Sequence, residues 1–200
     1  IPVVACEDYY EVHGREWERF ALLKARPVAG DRDLGTDLLH SLKPFMYRKY
    51  LDFGVFESIR DLKSKIETEV RRNGRDQNVK VGRGGIREIE FIVQSMQLLR
   101  GGQIPTLQVT GFLEALSALV DESILTADDG RQLREDYLWL RHVEHVIQAE
   151  NDQQTQELPA DCGPLAAVLG FESADQFETV RRKVTDRVHE AFVSFMRVEQ

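Results

Sequence analysis

Apolar side chains in this sequence recur at three- and four-residue intervals rather than in alternation, which places them along single faces of helices. Leu133, Tyr137, Leu140, Val143 and Ile147 form one stripe, running from a helix-start signal at Thr126-x-x-Asp129 to about Asn151. Phe177, Val180, Val184, Val188, Ala191 and Phe195 form another, behind a Ser173-x-x-Gln176 capping box. Ile86, Ile89, Val93 and Met96 mark a third, widened by Phe91, Ile92, Ser95 and Leu99 and stopped by Gly101-Gly102. Shorter helices are predicted from Gly111 to Val120 and from Asp31 to Lys43, the latter with Leu34, Leu38, Leu39 and Leu42 inward and Pro44 ending or bending it. Phe56, Ile59, Ile66 and Val70 give a long helix over Phe53 to Arg72, stopped at Asn73-Gly74-Arg75-Asp76. From Glu7 to Ala25 the spacing predicts one further helix, with Gly14 its weak point. A short apolar piece, Leu165 to Leu169, precedes Gly170. Only Pro2 to Ala5 and Asn78 to Val81 read as strand. The chain is therefore an all-α protein, an elongated helical bundle with a four-helix up-and-down core and additional N-terminal helices.

Composition narrows the function classes. With 200 residues, 42% of them hydrophobic and 30% charged, the chain can bury a sizeable core. A formal net charge of −8 disfavours nucleic acid as a partner. No apolar run approaches the roughly 20 residues that cross a membrane. The start, Ile1-Pro2-Val3-Val4-Ala5-Cys6, has neither an initiator Met nor a basic signal-peptide head, as expected of a stretch cut from a longer chain. Cys6 and Cys162 form no Cys-x-x-Cys unit, so a reducing cytoplasm is the expected compartment.

Candidate chemistry centres on Lys80-Val81-Gly82-Arg83-Gly84-Gly85-Ile86-Arg87-Glu88-Ile89-Glu90-Phe91, a basic, glycine-rich approach to a helix. Glycines allow close backbone approach, and a helix start offers N–H groups to an anion. The block lacks the order of a P-loop, and no β-rich segment precedes it as a dinucleotide fingerprint requires. On a helix Glu88 and Glu90 diverge by about 200° and cannot chelate one ion together. His142 and His145 lie three apart with Glu144 between them, yet a zinc site would need at least one more ligand from elsewhere. Lys24 and Arg26 sit where a helix macrodipole favours cations whatever the function. No Ser-His-Asp, Cys-His or Gly-x-Ser-x-Gly arrangement is visible.

Taken together, Glu7-Asp8-Tyr9-Tyr10, Gly14-Arg15-Glu16-Trp17-Glu18-Arg19-Phe20, Lys24-Ala25-Arg26 and Gly84-Gly85-Ile86-Arg87-Glu88-Ile89-Glu90-Phe91-Ile92-Val93-Gln94 resemble the bifunctional glutamine synthetase adenylyltransferase/adenylyl-removing enzymes. Arg48-x-Tyr50-x-Asp52-Phe53, Leu99-Arg100-Gly101-Gly102 and Asn151-Asp152-Gln153-Gln154-Thr155-Gln156-x-Leu158-Pro159 extend the resemblance over nearly the whole chain. The family is similar to a tandem of nucleotidyltransferase units, each followed by a helical domain. Glu88, where the adenylylating half usually carries Asp, resembles the adenylyl-removing half.

The resemblance implies reversible control of glutamine synthetase: AMP is attached to a tyrosine from ATP, or removed by phosphate to release ADP, with glutamine and the PII signalling protein setting the direction. ATP/ADP and Mg2+ are implied for the parent enzyme, and none is expected to bind tightly to this stretch. The family's Gly-Ser followed by Asp-x-Asp has no counterpart here, so no catalytic or metal residue is expected in the chain and it should be inactive alone. Residues 1–50 would be helices joining the upstream nucleotidyltransferase domain, and 51–200 the helical bundle domain. By the resemblance, Arg87 and the N–H groups near Gly84 and Gly85 would contact phosphate. Glu88 or Glu90 would orient a cation or basic partner, and Lys24 and Arg26 would line the domain junction. Another reading is a regulatory module docking PII or glutamine synthetase without touching nucleotide. The related uridylyltransferase that modifies PII is disfavoured by the Trp17 and Gln153-Gln154-Thr155-Gln156 blocks.

Overall fold

The computed structural model describes residues 2–47, 64, 77–150 and 154–198. Among them every regular element is helical and no strand forms, as the apolar spacing predicts. The chain divides into two units, Ile1–Leu62 with Val93–Thr126, and Lys63–Ile92 with Ala127–Gln200. The expected helix over Phe53 to Arg72, its stop at Asn73–Asp76 and the boundary at residue 50 lie outside the described residues. No helix of the described residues is long and apolar enough to cross a membrane.

The first unit opens with α1 (Val3–Val12) and α2 (Glu16–Leu22), where a single helix from Glu7 was predicted. The break has a packing cause. A Cβ on Gly14 would stand 2.5 Å from the Phe45 ring, so that ring occupies the place of a side chain at this turn. Glu18 then closes the start of α2 by accepting the Arg15 N–H at 2.7 Å. Pro2 to Ala5 is not strand. Pro2 caps α1 and its carbonyl accepts the Cys6 N–H, a position that suits a residue with no N–H of its own.

Asp31 caps α3 (Arg32–Ser41) by accepting the Leu34 N–H. The helix stops at Ser41, before Pro44, which was expected to end or bend it and which sits in the first turn of a new helix, α4 (Lys43–Met46). Leu34 is exposed and only Leu42 of the predicted stripe is fully inside. Helix α5 (Ile86–Arg100) gives its first turns to the second unit and the rest to the first. A 3-10 turn (Pro105–Leu107) and α6 (Phe112–Asp121) complete this unit. Its core gathers Leu23, Met46, Tyr47 and Leu98, flanked by Phe20, Leu22 and Phe45. Burial pushes the Tyr47 phenol up to about 12. Arg19 is wholly buried. Its guanidinium donates twice to the Met46 carbonyl, at 3.1 and 2.7 Å, and pairs with Glu16 at 2.7 Å.

The second unit is built on α7 (Ala127–Ala149) and α9 (Ala174–Val198), with the short α8 (Gly163–Val168) packed against both. Ser173 caps α9 by accepting the Gln176 N–H. The Gln176 side chain reaches one residue further back than in the usual capping box, to the Glu172 N–H. Leu133, Leu140, Val143 and Ile147 of α7 and Phe177, Val184, Val188 and Phe195 of α9 are buried as predicted. Phe192 takes the inward position expected of Ala191. Phe177 stacks on Trp139 and meets Phe171 edge-on.

Two charges interrupt the α7 stripe. Asp136, 2% exposed, is held from α9 by both arms of the Arg187 guanidinium, with Nε–Oδ2 at 2.9 Å. Removing the cation would leave that carboxylate buried and unpaired. Arg187→Ala is therefore expected to lower the unfolding free energy by about 2–3 kcal/mol in urea melts, less than the roughly 3–5 kcal/mol of fully buried pairs because Arg187 is itself partly exposed.

Candidate functional site

The glycine-rich block is a turn, not the strand predicted for Asn78 to Val81. Asn78 organises it. Its side-chain oxygen accepts the Lys80 and Val81 N–H groups at 3.0 and 2.9 Å, and its amide donates to Glu157 at 2.8 Å. Asn78 and Glu157 also form an isolated antiparallel bridge, with Val79 N–H donating to Gln156 and Leu158 N–H to Gln77. Gln156 thus meets the chain one residue before the glycine block.

Backbone amides continue to be used inside the chain up to the helix. Gly82 N–H donates to Asn78, Gly85 to Gly82, Ile86 to Val79, Arg87 to Lys80 and Glu88 to Gly85. The Gly84 N–H bonds the Glu88 carboxylate. Every N–H from Gly84 to Glu88 therefore has a partner within this unit, where the sequence pattern pointed to an anion.

Gly84 explains why glycine stands here. Its φ is +67°, and a Cβ on it would lie 1.9 Å from the Thr185 carbonyl oxygen of α9. Gly85 has no room either, since its Cβ would meet the Val79 carbonyl at 2.7 Å. Along the same line Glu88 meets His189 and Phe91 meets Phe192, each pair separated by the spacing of Gly84 from Thr185. The start of α5 and the middle of α9 thus run side by side in one register. Positions 84, 88 and 91 face 185, 189 and 192 at the four-then-three spacing of a helix seam.

Glu88 is therefore committed inward. Both its carboxylate oxygens lie 3.1 Å from Nδ1 of His189. Burial pushes the carboxyl above its ordinary range, against the opposing pull of His189, the Gly84 amide and Arg83. Arg83 itself pairs with Asp186 at 2.5 Å on the exposed flank. Arg87 points outward and is exposed.

Glu90 is half-buried and belongs to a second polar group. Glu144 of α7, 1% exposed, pairs with Arg141 at 2.5 Å and with Lys80 at 3.9 Å. Tyr137 lies beside them. Burial raises its phenol, with Glu90 the next cause and Arg141 acting against. His142 and His145 are both exposed. Among the described residues no three His, Cys, Asp or Glu side chains come together as a metal centre. Lys24 and Arg26 are exposed and belong to the other unit, just beyond α2.

The residues that sequence reasoning missed are Asn78, Asp136, Glu144, Arg187 and His189. Asp136 and Glu144 carried a signal, since both fall in register with the apolar stripe of Leu133, Leu140, Val143 and Ile147. His189 and Asn78 carried none.

Residues 60–196 match the family model described as GlnD PII-uridylyltransferase, and residues 1–41 that described as glutamate-ammonia ligase adenylyltransferase. The chain is 49% identical over 195 residues to the bifunctional glutamine synthetase adenylyltransferase/adenylyl-removing enzyme of Hahella chejuensis, covering 96% of this chain and 20% of that protein. The proteins of the same name from Nitrosococcus oceani and Idiomarina loihiensis are 45% and 41% identical over 191 residues, each covering 94% of this chain and 20% of the relative. The chain thus spans about one fifth of the length of these curated relatives.

Two expectations follow from the seam. Gly84→Ala forces a positive φ on alanine and drives its methyl into the Thr185 carbonyl, so a loss of at least ~2 kcal/mol is expected in denaturant melts. Glu88 bears on pH. A carboxyl raised in the folded state contributes stability that is complete below its unfolded pKa and is lost as pH rises through the folded one. Glu88→Gln keeps an acceptor but cannot ionise, so wild-type stability minus variant stability should fall as pH is raised from 4 to 8. Paired thermal melts across that range give the difference directly.

Proposed function

The chain belongs to the family of bifunctional glutamine synthetase adenylyltransferase/adenylyl-removing enzymes, with the PII-uridylyltransferase domain model over most of its length, and on that premise we propose that it is a helical companion domain from the adenylyl-removing half. In this reading it closes over a nucleotidyltransferase active site carried elsewhere in the same polypeptide. There, phosphate attacks the phosphorus of AMP held on a glutamine synthetase tyrosine; the bond to the tyrosine oxygen breaks and ADP leaves. The Mg2+ and ATP/ADP of the parent enzyme belong to that other domain, whose carboxylates would hold the metal. Alone, the chain has no Gly-Ser followed by Asp-x-Asp and is expected to be inactive. The cytoplasm is the proposed compartment.

The observation that carries this reading is how the glycine block divides its labour. Its amides and glycines are spent on holding the turn against α9, and Glu88 is tied to His189. Arg87 stands exposed on the first turn of a helix so fixed. A cation on a rigid mount suits a phosphate that must be held in line for displacement, because a misplacement of about 1 Å can cost on the order of a hundredfold in rate. Within this reading the glycines position Arg87 and make no contact with phosphate themselves. Glu90 sits beside Tyr137 and the Arg141–Glu144–Lys80 group, where it would orient a basic partner.

The match of residues 60–196 to the PII-uridylyltransferase model supports a second reading, in which the helical surface docks the PII protein or glutamine synthetase and never meets nucleotide. The test is phosphate-dependent ADP release from adenylylated glutamine synthetase by the full-length enzyme. Arg87→Ala is expected to slow it about ten- to a hundredfold with an unchanged melting temperature, and Glu90→Gln to slow it less. Unchanged rates for both would leave the block as scaffold and favour the docking reading.

A further inference from the structure

Within the second unit, a buried carboxylate carries a cation on each of its oxygens. Glu144 of α7 is 1% exposed. Its Oε2 accepts from Arg141, one turn earlier on the same helix, and its Oε1 lies 3.9 Å from the ammonium of Lys80, in the turn before α5. Desolvating a carboxylate this deep offsets much of what its ion pairs contribute, so packing alone does not favour it over an apolar side chain. Its effect is to fix two cations that come from distant parts of the chain. Both keep an open side, with 34% of the Arg141 side chain and 38% of the Lys80 side chain exposed. Among the described residues Arg141 commits one terminal nitrogen to Glu144, and the rest of its planar fork of donors remains. The Lys80 contact is too long for a hydrogen bond, so its donors are not spent on the carboxylate. Glu144 itself, buried behind the two cations, shows an incoming anion almost none of its own charge.

Arg87 starts from the same place, since its N–H donates to the Lys80 carbonyl, and its side chain is exposed. Glu90 lies beside Tyr137, one turn before Arg141 on α7, and bounds the group on that side. We propose that Lys80 and Arg141, positioned by Glu144, bind the inorganic phosphate consumed in adenylyl removal, next to Arg87. The proposal rests on the adenylyl-removing reading above and adds to it the residues that hold the attacking anion. Inorganic phosphate has every oxygen open and carries more negative charge than the phosphodiester that joins AMP to a tyrosine. A guanidinium fork and an ammonium set on the two oxygens of one carboxylate therefore suit the free anion better than the ester.

The experiment uses the full-length enzyme and inorganic phosphate. Arginines are modified with phenylglyoxal in phosphate or in chloride of the same ionic strength, and each site is quantified by mass spectrometry. Phosphate is expected to slow modification of Arg141 about fivefold or more and to leave Arg182, whose side chain is 72% exposed on α9, unchanged. Equal rates at Arg141 in the two salts would overturn the proposal. Arg87 is scored in the same digest: protection there without protection at Arg141 would keep the function proposed above and discard this site. The labelling needs no turnover, so failure of the ADP-release assay is a separate result. Kinetics then identify the source of the phosphate group. Lys80→Ala and Glu144→Gln are expected to raise the KM for phosphate about tenfold, with the KM for adenylylated glutamine synthetase about unchanged. A rise in the latter constant alone would assign the cations to the adenylylated substrate, and no change in either would leave the group structural; both outcomes overturn the proposal. Lys80→Ala keeps the Arg141–Glu144 pair, so the kinetic test stands even where Glu144→Gln fails to fold.

Discussion

The second unit depends on one close approach, the backbone of Gly84 against the Thr185 carbonyl of α9. At that distance no side chain fits, and the positive φ that turns the chain into α5 is one that other residues adopt only with strain. Once the approach is made, the register of α5 against α9 is set. Glu88 falls on His189 and Phe91 on Phe192, so a polar contact and an aromatic one follow from the same glycine. The turn that precedes it is closed by Asn78, which ties it to Glu157 far along the chain.

Buried charge is the second constraint. Arg19, Asp136 and Glu144 are each almost wholly out of water, and each has partners: the Met46 carbonyl and Glu16, Arg187, and Arg141 with Lys80. Such pairs add little net stability, because desolvation offsets much of the attraction, but breaking one leaves an uncompensated charge inside. Their effect is selective. A one-residue slip of α9 along α7 would take Arg187 from Asp136, at a cost that an all-apolar contact would not impose. Asp136 is held by a planar two-pronged fork, which further restricts the angle between the helices.

Helix existence was legible from apolar spacing because the long helices α7 and α9 bury single stripes, and Leu133, Leu140, Val143, Phe177, Val184 and Val188 all lie inside. Boundaries were less so. The division of Glu7 to Ala25 into α1 and α2 turns on Phe45, a residue distant in sequence whose ring fills the space at Gly14. Pro44 read as a stop is equally a helix start, since its ring suits a first turn as well as it ends a last one. Polar partners were hidden for a related reason. His189 is an ordinary exposed-face residue by its spacing, and only the register fixed by Gly84 brings it to Glu88. Of the candidate site residues, apolar spacing and glycines picked out one block but could not tell that Gly84, Gly85 and Glu88 are engaged in packing while Arg87 is exposed.

A glycine-rich run before a helix says that something comes close to the backbone, and leaves open whether it is a ligand or the protein itself. At Gly84 and Gly85 the space is taken by the chain's own carbonyls, and the amides up to Glu88 are already bonded within the unit. A phosphate placed on these amides would have to displace several hydrogen bonds and leave their acceptors unpaired in a region where Gly82, Gly84, Gly85 and Ile86 are buried. A phosphate approaching Arg87 displaces none of them. If the block meets a nucleotide at all, the side chain is the cheaper point of contact, and the glycines serve it by keeping the turn from moving.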